Sequence, residues 1–115
     1  MTNLEKEFTK SMRDLYLQTK RECGYNATRF LQLISSPEGA VPGIKRLIMN
    51  NKVSQGWTEL CMQGRLDLSV EFAVLDPRWQ ELFSEDEREN CQKWLLESKC
   101  ISPADIELQK NGKYR

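Results

Sequence analysis

Arg65, Asp67 and Glu71 form the sharpest group of reactive side chains in this sequence. Two carboxylates four residues apart share one face of a helix, and an arginine just before them could steer an acid/base pair. The same spacing has a purely structural explanation. Asp67 caps a helix, Glu71 answers the positive end of the helix dipole, and Arg65 pairs with one of them. Capping alone accounts for the pattern, so the structural reading is preferred. Tyr25, Arg29 and Trp57 could likewise make an aromatic–cation site for a nucleotide base or a peptide. The edge of a core with an arginine stacked over it gives the same residues, and that reading is preferred here too.

Other chemistry is thinly provided. The 115 residues contain no histidine, which removes the commonest general base, the Ser-His and Cys-His pairs and the usual catalytic zinc ligands. Cys23, Cys61, Cys91 and Cys100 lie 38, 30 and 9 residues apart, with no close pair. Neither a zinc knuckle nor a disulfide framework is expected from such spacing. All four are read as free thiols buried on apolar helix faces. No metal and no cofactor are expected, and the chain is read as a non-enzyme.

Charge is more informative. The net charge is zero, with 17 acidic and 17 basic side chains, but residues 67–98 hold nine acids against three bases, a net of −6, so the remainder sums to +6. Glu81, Glu85, Asp86 and Glu89, with Trp79 and Arg88 among them, make an acidic corner that could meet a basic partner surface, speeding association and rejecting wrong partners. Trp79, if exposed, would anchor such a contact. Nucleic acid is the competing partner, through Lys6, Lys10, Arg13, Lys20 and Arg21 on the first helix, followed by Arg29, Lys45 and Arg46 on the third, and Lys52. Glu5, Glu7, Asp14 and Glu22 interrupt the first set, and a neutral domain with an acidic half is a poor match for a phosphate backbone.

The elements that must position these groups read as helices throughout. Thr2-x-x-Glu5 is a capping box that opens a first helix over 3–23, with Leu4, Phe8, Met12, Leu15 and Thr19 on one stripe and Gly24 at its end. Asn26 is expected to cap a second helix, a third begins near Ala40 with Pro42 in its first turn, and Ser54 is expected to cap a short fourth. Asp67 is expected to cap an almost wholly apolar element over 67–75, which belongs at the centre of a domain. Asp76-Pro77 opens a turn, Ser84-x-x-Glu87 is the clearest capping box, and Ser102-Pro103 opens a last helix, with a short C-terminal segment over 100–115 whose terminal Lys-Tyr-Arg is expected to fray. The expectation is an all-α single domain over 1–115 with about seven short helices. No apolar run exceeds four residues, against the ~20 that cross a bilayer, and MTNLEKEFTK has no apolar leader core, so no membrane contact and a cytoplasmic setting are expected.

The middle of the chain, about residues 23–95, resembles a family of small all-helical bacterial proteins without assigned function. The resemblance is carried by Tyr25, Thr28, Arg29 and Phe30, by Gly56, Trp57 and Leu60, by the GRLDLSVE run from Gly64 to Glu71, and by Pro77 to Glu87 leading into the acidic capping box. It implies a helical fold and an accessory place in a larger bacterial or phage system, and it supplies no catalytic residues. The function expected is therefore a non-catalytic helical module that binds another protein as an accessory subunit, regulator or inhibitor.

Overall fold

Thr2 and Glu5 close a reciprocal capping box at the start of α1 (Asn3–Cys23). The Thr2 hydroxyl accepts the Glu5 N–H at 3.1 Å, and the Glu5 carboxylate accepts the Thr2 N–H at 3.0 Å. Phe8, Met12, Tyr16 and Thr19, three or four residues apart, form its buried stripe, and Gly24 ends it. The computed structural model describes residues 1–114. Beyond α1 it contains α2 (Thr28–Ile34), α3 (Ala40–Met49), α4 (Trp57–Met62), α5 (Val70–Val74), α6 (Glu85–Ser98) and α7 (Pro103–Lys110), with 3-10 turns at Leu66–Leu68 and Pro77–Trp79. Among the described residues there is no strand, and no helix is long and apolar enough to cross a membrane. The fold is all-α around one core, with a Cα radius of gyration of 12.9 Å, close to the ~13 Å of a single packed domain of this length.

The apolar segment expected at the centre is there, but as a five-residue helix behind a 3-10 turn. Val70, Phe72, Val74 and Leu75 are all buried, α5 packs on α6, and α7 lies against both. Ile106 carries α7 into the core, and the Gln109 carboxamide donates to the Phe72 carbonyl at 3.0 Å. On the other side, Phe8 of α1 meets Trp79 and Phe83 edge-on at 5.2 and 5.3 Å.

Three expected caps have other work. Asn26 accepts the Tyr16 hydroxyl, and α2 begins after Ala27 with no side-chain cap. Ser54 gives both its donors to Glu71, and α4 starts after Gly56. Asp67 lies inside a 3-10 turn, and Ser69 takes the cap of α5 by accepting the Phe72 N–H at 3.2 Å. For Asn26 and Ser54 a partner from a distant segment outcompetes a local cap, because leaving that tertiary group unsatisfied costs more than a frayed helix start, whereas Asp67 pairs with Arg65 two residues before it. Ser84 and Ser102 cap α6 and α7 as expected.

The cysteine reading is corrected for two of the four. Cys61 of α4 and Cys100, between α6 and α7, form a disulfide, while Cys91 is a buried thiol and Cys23 a half-buried one. The tail is also corrected: the Tyr114 ring packs edge-on against Phe72 at 4.8 Å, while Arg115 lies outside the described residues.

Gly56 leaves no room for a side chain. Its φ is +89°, and a Cβ there would sit 2.8 Å from Cε2 of Tyr25. Gly56→Ala is expected to cost about 2 kcal/mol, from the left-handed backbone and the displaced ring together. Urea denaturation of the two proteins checks this.

Candidate functional site

The acidic corner is built by the start of α6 and the turn before it. Ser84 caps the helix by accepting the Glu87 N–H at 3.1 Å, and Glu87 folds back to accept the Ser84 N–H at 2.7 Å. The same Glu87 oxygen takes the Lys45 ammonium at 2.6 Å, tying α6 to α3. Burial works to raise the Glu87 carboxyl, but Lys45 and Ser84 outweigh it and hold the group below its ordinary value. Glu87 is thus a structural acid. Farther along the helix, Glu97 lies 3.9 Å from Lys93.

Glu81, Glu85, Asp86 and Glu89 are different. All four are exposed, and the ion pairs among the described residues leave them out. Glu85 and Glu89 also border a concavity of about 490 Å³ with an apolar floor at Leu75 and Phe83. Arg88 enters it from behind. One guanidinium nitrogen donates to the Leu75 carbonyl at 3.2 Å, and Nη1 is buried without a partner. Trp79 cannot serve as the anchor expected of it. It is 2% exposed, held between Phe8 and the Arg78 guanidinium 4.3 Å over its ring. An indole that completes the core has no face left for a partner.

The Arg65–Asp67–Glu71 group is split. Arg65 makes a two-pronged pair with Asp67, at 3.0 and 3.2 Å, and reaches Glu22 of α1 at 3.0 Å. Glu71 is 3% exposed, and its carboxylate accepts from Ser54, at 2.6 Å from the N–H and 2.8 Å from the hydroxyl. Glu71 does lie in the first turn of α5, as the dipole reading expects, but it stands apart from the Arg65–Asp67 pair and acts as a buried strut between the α3–α4 loop and α5. Cys91 lies near it, and burial first, then the Glu71 and Glu87 carboxylates, push its thiol far up, so it is chemically inert.

Tyr25, Arg29 and Trp57 do not share a cavity either. Tyr25 covers Gly56 and borders an internal void of about 20 Å³, no more than one water's room. Trp57 is half-buried against the core. Arg29 lines a separate groove on the outside of α2 and α3. Sequence reasoning does not find this groove, because Leu33 and Leu47 fall on helical apolar stripes, a pattern that core residues and groove walls share. The basic residues proposed for nucleic acid lose one member, since Lys45 is bound to Glu87, leaving Arg46 alone on α3. No family model matches the chain, and neither a curated protein nor a solved structure does.

Proposed function

We propose that this chain is a non-catalytic helical protein-interaction module, an accessory or regulatory subunit or an inhibitor, whose acidic corner meets a basic surface on a partner protein. One observation carries the reading. Glu81, Glu85, Asp86 and Glu89 are exposed and enter no ion pair among the described residues, while Glu87 and Glu97 of α6 are matched by lysines of this chain. Two of the four, Glu85 and Glu89, border a concavity with Leu75 and Phe83 in its lining, which suits a lysine or arginine, whose stem needs apolar cover and whose head needs an acid. Membership of the small bacterial family resembled by residues 23–95, and a bacterial or phage setting, belong to the same proposal. So does a cytoplasmic location, which would keep Cys61 and Cys100 reduced.

The test is a charge-altered variant compared with the wild type. Glu85 and Asp86 complement the α6 dipole, so they are changed to Gln and Asn, while Glu81 and Glu89 are reversed to Lys. Tagged wild-type protein in nuclease-treated bacterial lysate should retain a stoichiometric partner. The variant, with unchanged circular dichroism, should associate with it about tenfold more slowly or worse. A partner held equally well by the variant, or no partner at all, overturns the reading.

A further inference from the structure

The outer face of α2 and α3 carries a groove that the acidic-corner reading does not use. Phe30 and Leu33 of α2, Leu47 of α3 and Val53 of the following loop line it, with Arg29 and Gln55 at its edges and a volume of about 310 Å³. Its shape follows from close helix packing. Leu33 lies so near α3 that a Cβ on Gly43 would fall 2.6 Å from its Cδ1, and Leu47 stands one turn beyond Gly43 on the same face. Val53 is 40% exposed, so the groove's aliphatic wall is open to solvent there.

Its charge is one-sided. Residues 24–58 hold Arg29, Lys45, Arg46 and Lys52 against one acid, Glu38, and Lys45 is already committed to Glu87. Arg29, Arg46 and Lys52 are exposed and enter none of the ion pairs among the described residues. Arg29 lines the groove itself, Arg46 precedes Leu47, and Lys52 precedes Val53.

We infer that this groove docks an acidic amphipathic helix of a partner protein. Apolar side chains one turn apart fill the space over Leu33, Leu47 and Val53, and flanking carboxylates reach Arg29, Arg46 and Lys52. The lining decides against nucleic acid as occupant. Its walls are aliphatic, its one aromatic ring, Phe30, is 7% exposed, and Tyr25 and Trp57 lie outside it, so bases find no ring to stack on. The inference is independent of the acidic corner, which lies on α6.

The probe is a fluorescein-labelled helical peptide of about 16 residues, long enough to hold a helix, with leucines at i, i+4 and i+7 and glutamates on either side of them. Fluorescence anisotropy should show saturable binding to the wild-type protein, with amide NMR shifts centred on Arg29, Leu33, Leu47 and Val53. Arg46→Glu with Lys52→Glu, both exposed positions, should weaken it by about tenfold or more. Val53→Ser should weaken it severalfold, and a peptide with serine for leucine should not bind. Three results would overturn the inference. One is no binding up to about 1 mM peptide. Another is equal binding of the serine peptide or of oligouridylate, which would make the patch a general anion surface. The third is self-association of the protein alone that Arg46→Glu abolishes, which would give the groove to a second copy.

Discussion

Glu71→Gln is expected to leave stability at neutral pH within about 1 kcal/mol of the wild type, whereas Glu71→Ala should lose about 3 kcal/mol. The difference lies in Ser54. Its N–H and hydroxyl both end on the Glu71 carboxylate in a site that is 3% exposed. Alanine strands both donors without water. Glutamine keeps an oxygen for the N–H and offers an amide donor to the hydroxyl oxygen, and it buries no charge. The two proteins should also differ in their response to pH. Burial raises the Glu71 carboxyl above its ordinary 4.5 by more than the Ser54 bonds lower it. A raised carboxyl holds its proton in the folded state when the unfolded chain has already lost it. The stability it contributes is complete below the unfolded value and falls away as pH rises through the folded one. Glu5, Glu22 and Glu87 are shifted downward and contribute in the opposite sense, but they are common to both proteins and cancel. Urea melts from about pH 4 to pH 8 should therefore show the wild type losing stability relative to Glu71→Gln as pH rises. Parallel curves would mean that Glu71 titrates alike folded and unfolded.

The same residue marks where sequence reading succeeds and where it stops. Thr2, Ser84 and Ser102 caps, the α1 stripe and the helical class depend on neighbours within a few positions, so spacing alone reveals them. Glu71, Ser54 and Asn26 look like capping or dipole residues by the same rules. Their partners come from 10 or 17 residues away, and no local pattern encodes those meetings. The acidic corner was legible as charge, since Glu81, Glu85, Asp86 and Glu89 are polar residues at a helix start. Its anchor was not, because whether Trp79 faces solvent depends on Phe8, which is 71 positions away in the chain. The α2–α3 groove stayed hidden for a related reason: a leucine on an apolar stripe can face a neighbouring helix fully or only at its edge.

Reducing the Cys61–Cys100 bond is expected to produce the largest stability loss of any single chemical change to this domain. The two Cα atoms stand 5.2 Å apart, an ordinary span for a disulfide, and the bond closes a chain segment across 39 positions. Loop-closure entropy for that length corresponds to about 4 kcal/mol, and for a domain of this size to a fall in Tm of roughly 15 °C. The effect should act through the unfolded chain more than through loss of a native contact. Lys99, left-handed at φ 57°, turns the chain out of α6 toward α4, but α7 has its own attachments through Ile106 in the core and Gln109 on the Phe72 carbonyl. Hydrogen exchange after reduction should show protection falling together across α1, α5, α6 and α7. Selective exposure of residues 99–110 would instead make the disulfide a local latch on α7. Cys61→Ser should match the reduced wild type and be insensitive to reductant, and Cys23→Ser should respond to reductant as the wild type does. Equal melting of oxidised and reduced protein would show that the bond closes a loop already restrained in the unfolded ensemble.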